Sequence, residues 1–332
     1  MTSLTKEIFN NKSSQLIQEK RESFLKQEDI KTVLLLMGGT SSEREVSLNS
    51  GNCVKEALLA LGYQVVLFDT AEGVEKLIEI IRQKKPDCVF NALHGGYGEN
   101  GCMQALLNMM KVPYTHSGVL SSALAMNKHE TKRLAEKFGI DVPKGCLVLG
   151  NFFKLKKDVF FDCVIKPNAE GSSVGVYILK RGDDIPESLK DTLNEKQSFL
   201  IEEYIEGREF SVAVTDEGAL GIIEIIPNEG FYDYKHKYSD GLTTHTVPTD
   251  LLPEVKERLL ESAYMMHKVL GCKGVSRSDF RYDAKSNRVV FLELNANPGM
   301  TKLSLVPEMA LQKGISYKEL VELLIKKADY EK

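Results

Sequence analysis

Two short segments near the C-terminus carry the side chains best suited to chemistry. In Phe291-Leu292-Glu293-Leu294-Asn295 a period-two alternation puts Glu293 and Asn295 on one face of a strand and Leu292 and Leu294 on the other. In the strand before it, Arg277, Asp279 and Arg281 share a face against Ser278, Phe280 and Tyr282. If the two strands pair, Asp279, Glu293 and Asn295 converge as hard oxygen ligands beside a guanidinium. Such a set suits Mg²⁺ when phosphate completes the coordination. The plainer alternative is a solvated sheet face with cross-strand charge pairs.

Phosphate needs donors. The loop Glu170-Gly171-Ser172-Ser173-Val174-Gly175 offers backbone N–H groups and two hydroxyls, and Lys166 supplies charge from the strand just before it. It is not a P-loop, because no Gly-x-x-x-x-Gly-Lys-Ser/Thr run occurs, and alone such a loop is more often a turn. Gly96-Tyr97-Gly98-Glu99-Asn100-Gly101 matches the dinucleotide pattern G-x-G-x-x-G, yet it follows the third strand and not the first. The stretch about twenty residues on, Ser121-Ser122-Ala123-Leu124, lacks the acid that would hold a ribose. His94 and Glu43 follow apolar strands, where parallel sheets place ligand contacts. Loop capping by His94 and helix N-terminal charge stabilisation by Glu43 are the structural alternatives. The run Tyr232-Asp233-Tyr234-Lys235-His236-Lys237-Tyr238 is long, polar and aromatic, which suits a mobile lid or a surface loop.

These residues need a scaffold. Val33 to Met37 is a continuous apolar run closed by Gly38-Gly39, the pattern of a central parallel strand. A helix from about Glu45 to Gly62, a strand over Gln64 to Phe68, a helix over Val74 to Gln83 and a strand over Asp87 to Leu93 follow. That alternation predicts an open parallel sheet with flanking helices, an α/β first domain over residues 31–122. Residues 123–202 read as a small central α+β module, with a helix over Asn127 to Phe138 and strands over Phe161 to Lys166, Val176 to Leu179 and Phe199 to Glu202. Residues 203–332 form a larger, strand-rich α+β unit. Its strands are Glu209 to Val214, Gly221 to Ile226, Val275 to Tyr282 and Val289 to Leu294, with helices over Pro253 to Leu270 and Tyr317 to Lys327. Residues 1–30 are a polar, loosely docked arm.

Composition narrows the class. The 332 residues, 42% hydrophobic and 27% charged, describe a globular chain with room for two or three domains. A net charge of −4 excludes a strongly basic nucleic-acid protein. No apolar run approaches the ~18 residues of a membrane span, and the N-terminus lacks a secretory pattern. Cys53, Cys88, Cys102, Cys146, Cys163 and Cys272 are scattered without a Cys-x-x-Cys pair, which predicts reduced, mostly buried thiols in a cytoplasmic protein.

From Val33 to the last helix, the chain resembles the D-alanine–D-alanine ligases of the ATP-grasp superfamily. The resemblance is carried in order by Gly38-Gly39-Thr40-Ser41-Ser42-Glu43-Arg44-Glu45-Val46-Ser47, His94-Gly95-Gly96-Tyr97-Gly98-Glu99-Asn100-Gly101, and Ile165-Lys166-Pro167 with Gly171-Ser172-Ser173-Val174-Gly175-Val176. The Tyr232 to Tyr238 run and Glu293-Leu294-Asn295-Ala296-Asn297-Pro298-Gly299-Met300-Thr301 complete it. Asn100 stands where an acid is common and Ala296 where threonine is usual.

The resemblance implies an ATP-grasp fold: an open parallel-sheet domain, a central lid domain and a C-terminal catalytic domain. It implies ATP-dependent joining of two D-alanines through a D-alanyl phosphate, for peptidoglycan, by a cytoplasmic homodimer. Asp279, Glu293 and Asn295 fall on its Mg²⁺ ligands, for two ions, with Mn²⁺ as a substitute. Lys128, Lys166, Lys237 and Ser173 fall on phosphate-holding positions. Glu202, Glu203 and Ile205 fall on the adenine hinge, and Glu209 on the ribose carboxylate. Glu43 matches the residue that receives the first ammonium, with His94 nearby, and Ser172 and Tyr238 would bridge to it. Arg277 and the Gly299 N–H match the oxyanion site. Ser304 and Leu305 match the second D-alanine's pocket, and no base for its ammonium is identified. The alternatives are a D-alanine–D-lactate-type ligase, against which Tyr238 argues, a nicotinamide-dependent dehydrogenase using the Gly96 loop, and a non-catalytic nucleotide-binding protein.

Overall fold

The computed structural model describes residues 30–149, 161–171, 175–184, 186–189, 197–227 and 243–331. The expected arm therefore lies outside the described residues, Ile30 excepted. Order begins with β1 (Thr32–Met37), α1 (Arg44–Ala60), β2 (Gln64–Asp69), α2 (Val74–Lys84) and β3 (Cys88–Asn91). The three strands form a parallel sheet in the order β2-β1-β3. Alternation along β1 sends Val33 and Leu35 to Val54, Ala57 and Leu58 of α1, and Leu34 and Leu36 to Leu77 and Ile81 of α2. Both faces are covered, which is why β1 reads as an unbroken apolar run. The chain leaves β1 for β2 and then returns past it to β3, so the loops after β1 and β3 diverge at the carboxyl edge. Open α/β sheets bind ligands in that crevice. β3 ends earlier than its apolar run, because the Leu93 N–H turns to the Asn91 side chain (3.1 Å) and leaves the ladder.

Helices α3 (Cys102–Met110), α4 (Val119–Met126) and α5 (Lys128–Lys137) lead into β4 (Gly145–Leu149), β5 (Cys163–Pro167), β6 (Tyr177–Leu179) and β7 (Ser198–Glu203). These four strands make an antiparallel sheet ordered β4-β7-β5-β6. A second antiparallel sheet follows, ordered β10-β9-β8-β11-β12. Its strands are β8 (Arg208–Thr215), β9 (Gly218–Pro227), β10 (Thr243–Thr246), β11 (Val275–Asp283) and β12 (Arg288–Asn295). Helix α6 (Pro253–Val269) packs Val255, Leu259, Ala263 and Met266 onto Phe210, Val212, Phe280 and Phe291 on one face. Helices α7 (Leu305–Gln312) and α8 (Tyr317–Lys326) share a core with Ala213, Ile223 and Ile225 on the other. That core continues into Val33, Leu35 and Phe90, so the parallel sheet and the five-stranded sheet are braced through common apolar packing. No helix among the described residues is long and apolar enough to cross a membrane.

Two expectations need correction. Cys102 and Cys146 are exposed and Cys53 is half-buried, so only Cys88, Cys163 and Cys272 fit the expected burial. Cys146 sits on β4, an edge strand exposed along most of its length. The alternation along β12 also breaks. Asp279 faces Glu293 but Phe280 faces Phe291, which leaves Leu292 as the extra residue of a bulge. Leu292 consequently lines the same cavity as Glu293 and does not join Leu294 in the core.

Candidate active site

The β11–β12 pair does for the charged residues what their alternation required. Arg277 lies opposite Asn295 and Asp279 opposite Glu293, with Ser211 of β8 on the other flank of Asp279. The Arg277 guanidinium donates to both Asp279 oxygens, Nε to Oδ1 at 3.0 Å and Nη2 to Oδ2 at 2.9 Å. Ser211 donates its hydroxyl to Asp279 Oδ1 as well. Lys128, the first residue of α5, places Nζ 3.3 Å from Glu293 Oε2 and donates to the Glu170 carbonyl at 2.6 Å. The helix start that aims it is fixed by Asn127, whose side chain caps the Glu130 N–H, and by Asn168, which bonds both Asn127 and the His129 N–H.

Two cavities meet here. The first is lined by Glu43, His94, Lys128, Glu170, Arg277, Asp279, Glu293, Asn295, Gly299, Ser304 and Leu305, among others. The second is lined by Lys128, Lys166, Glu170, Glu202, Glu203, Ile205, Glu209, Asp279, Leu292 and Glu293. It runs between the two antiparallel sheets, from β5 and β7 to β8, β11 and β12. Lys128, Glu170, Asp279 and Glu293 belong to both linings. A group passed from one cavity to the other must cross three acidic residues and a lysine.

Glu43 is 6% exposed and precedes α1, with its N–H donating to Ser41 Oγ at 3.2 Å. Two glycines make room for its carboxylate: a Cβ on Gly95 would stand 2.8 Å from Glu43 Oε2, and one on Gly171 2.7 Å. The neighbouring Arg44 forks onto Asp69 (2.9 and 2.6 Å) and donates to the Gly39 carbonyl at 2.8 Å, tying the loops after β1 and β2 together. His94 is buried with Nε2 3.0 Å from Ser50 Oγ and Nδ1 3.3 Å from Glu99. Its ring braces the loop, as the structural alternative had it, and also lines the first cavity. At the far end Ser304 stands at the N-cap position of α7, and its Oγ accepts from the Thr301 N–H at 3.0 Å. The first-turn N–H groups of α7 and their dipole favour an anion there.

In the second cavity Glu209 meets Arg281 at 3.2 Å, and Glu203 turns to Arg288 at 3.0 Å. Glu202 is buried between two cations, Lys166 at 3.1 Å and Lys132. Burial pushes the Lys132 ammonium down to about 7, and the Lys166 charge adds to that shift. Burial would lower Lys166 too, but Glu202 and Glu293 outweigh it and hold the ammonium above its usual range. The Glu202 carboxylate is thus held by Lys132 and Lys166 at the end of β7.

Ser172, Ser173, Lys237 and Tyr238 lie outside the described residues. Lys132 was not anticipated, although it sits one turn beyond Lys128 on the same helix face, a spacing that marks neighbours. His245 on β10 also lines the first cavity, paired with Glu308 at 3.0 Å, and no motif flagged it.

Asp279, Glu293 and Asn295 fit a Mg²⁺ ion by donor chemistry. Two carboxylates and an amide oxygen are the hard donors such an ion takes. Asp279 uses three of roughly four acceptor positions on Arg277 and Ser211 and keeps capacity for a ligand. Among the described residues there is no group of three His, Cys, Asp or Glu side chains placed to bind a metal. This site would be built from carboxylates, an amide and the ligand's own oxygens.

The chain is similar to known proteins along most of its length. Residues 148–326 match the family model for the D-ala D-ala ligase C-terminus, and residues 69–117 that for the N-terminus. The chain is 44% identical to the D-alanine–D-alanine ligase of Zymomonas mobilis, over 90% of this chain and 94% of that one. The Paramagnetospirillum magneticum ligase is 43% identical, with 90% and 98% covered. Among solved structures, the D-alanine–D-alanine ligase of Bacillus anthracis complexed with ATP superposes with a TM-score of 0.75 at 31% identity, covering 90% of this chain and 97% of that one. The VanG D-Ala:D-Ser ligase of Enterococcus faecalis superposes with a TM-score of 0.71 at 28% identity, covering 89% and 98%.

Proposed function

The chain belongs to the D-alanine–D-alanine ligase family, with the ATP-grasp fold, and from that premise we propose how its residues join two D-alanines at the cost of one ATP. The observation that carries the proposal is the shared wall: Lys128, Glu170, Asp279 and Glu293 line both cavities. ATP occupies the cleft between the antiparallel sheets, and the amino acids occupy the cavity bounded by Glu43 and α7. The relative solved with ATP supports the nucleotide.

Glu43 receives the first D-alanine's ammonium, beside His94, and directs its carboxylate at the shared wall. Lys128, Lys166 and Lys237, with Ser173, hold the phosphates. Glu202, Glu203 and Ile205 form the adenine hinge, and Glu209 takes the ribose. Asp279, Glu293 and Asn295 would hold one or two Mg²⁺ ions, which supply charge neutralisation at the phosphate oxygens when bound. A D-alanine carboxylate oxygen takes the γ-phosphoryl group and ADP is released. Phosphoryl transfer of this kind asks mainly for alignment and charge neutralisation.

The second D-alanine's amine then attacks the acyl carbon. Ser304 and Leu305 hold its carboxylate and methyl at the N-terminus of α7. Negative charge builds on the tetrahedral oxygen, which Arg277 and the Gly299 N–H stabilise, on the order of 3 kcal/mol per donor. An acyl phosphate is lost to water, so Ser172 and Tyr238 close over it with Glu43. The full proposal is a cytoplasmic homodimer that makes the peptidoglycan dipeptide. The unpaired cysteines support the compartment, and the exposed Met109 on α3 and Leu120 on α4 offer apolar surface for a second copy.

The test is incubation with ATP, Mg²⁺ and D-alanine, with phosphate and dipeptide both measured. One phosphate per dipeptide is expected, falling at least ~100-fold in Glu293→Gln. Phosphate release no greater than in that variant would overturn the proposal.

A further inference from the structure

Joining an amine to an acyl phosphate creates a proton problem that the residues above leave open. The second D-alanine enters as an ammonium, and the amide keeps one of its three hydrogens. As the N–C bond forms and the C–O bond to phosphate breaks, one proton leaves with the phosphate. The other must go to a base before attack.

The register of the five-stranded sheet brings one imidazole to the required face. His245 pairs with Ile225, Ile225 with Glu209, and Glu209 with Arg281, one row across β10, β9, β8 and β11. Two residues along, Ile223, Ser211, Asp279 and Glu293 form the next row of the same face. His245 therefore stands on the side of the sheet that carries Asp279, and it lines the first cavity with Arg277, Gly299 and Ser304. Its Nδ1 is 3.0 Å from Oε2 of Glu308, in the first turn of α7. A carboxylate can only accept, so Nδ1 carries the hydrogen and Nε2 is left as the basic nitrogen. A base oriented by a carboxylate is the arrangement that activates nucleophiles on unrelated folds. The helix whose N-terminus is assigned to the second D-alanine also aims the imidazole.

Several other ionisable groups of the cavity are paired. Arg277 and Asp279 bind each other, Glu293 is beside Lys128, and His94 is held by Ser50 and Glu99. Against His245 itself, α7 presents Glu308 and β9 presents the apolar Ile225.

We propose that His245, aligned by Glu308, is the general base that deprotonates the acceptor D-alanine. The inference rests on the ligase reading, and its test separates the two. Hydroxylamine is already neutral near pH 7 and traps D-alanyl phosphate as the hydroxamate without a base. In His245→Gln, dipeptide formation at neutral pH should fall roughly 100-fold while hydroxamate formation stays within about twofold, a split expected for loss of a general base. The dipeptide deficit should shrink as pH rises and free amine becomes abundant. Glu308→Gln, which keeps the imidazole, should lose about tenfold with the same selectivity. A parallel fall of dipeptide and hydroxamate, or a fall in neither, would overturn the assignment. Absence of both products from the unsubstituted chain would reject the ligase reading itself.

Discussion

Lys132 and Glu202 form an ion pair almost closed to water, with side chains 6% and 4% exposed, and Lys166 stands 3.1 Å from the other carboxylate oxygen. The pair joins helix α5 to strand β7, beside the second cavity. Burial brings Lys132 down to about 7, so near neutral pH Lys166 carries the firmer positive charge beside Glu202. Desolvation makes such an arrangement costly to assemble and costlier to break.

Lys132→Met should destabilise the protein by about 1–3 kcal/mol, read as a lower urea midpoint, because it removes a buried charge-assisted hydrogen bond while Lys166 still pairs with Glu202. Lys132→Met with Glu202→Gln should lose more, because Lys166 is then left without the carboxylate it pairs with at 3.1 Å. An unchanged midpoint in the single variant would mean that the pair contributes little.

Gly171→Ala separates substrate recognition from folding. The added methyl would stand 2.7 Å from Glu43 Oε2, and its three nearest neighbours are all atoms of that carboxylate. Only the end of a side chain has to move, so the thermal midpoint should hold within about 1–2 °C, as for surface changes. The displaced carboxylate should raise KM for the first D-alanine about tenfold or more while KM for ATP holds. Steady-state kinetics at fixed ATP would show it, and equal changes in both constants would count against the assignment of Glu43.

Much of this was legible in the sequence, and the failures have physical causes. The β1 run, the pairing of Asp279 with Glu293 and the loops after β1 and β3 follow from periodicity and from where parallel sheets bind ligands. Leu292 went astray because a bulge adds a residue that a strict period of two cannot represent. Strands β4 and β10 lie at sheet edges, where one side needs no apolar partner and the alternation weakens. Lys132 looked like one more surface lysine on a helix with seven charged or imidazole side chains in ten residues. Only the approach of β7 buries it.

The link between Asp216 and its partners His267 and Lys327 sets an acid limit. Burial alone would raise the Asp216 carboxyl, but His267 and Lys327 outweigh it and hold the group at about 2, below its ordinary 3.8. A carboxyl depressed on folding contributes stability that is present above the ordinary value and lost as pH falls toward the folded one. The urea midpoint should thus drop between pH 3.8 and about 2, and the drop should be shallower in Asp216→Asn. Identical pH profiles for the two proteins would show that the contact adds no acid sensitivity.

The central claim is that a D-alanine carboxylate oxygen crosses the wall formed by Lys128, Asp279 and Glu293 to take the phosphoryl group. It is tested most directly with D-alanine labelled by ¹⁸O in its carboxyl, by mass analysis of the phosphate released. Attack by the carboxylate followed by cleavage of the acyl C–O bond predicts a single labelled oxygen in each phosphate that accompanies a dipeptide. Unlabelled phosphate accompanying the dipeptide would contradict it.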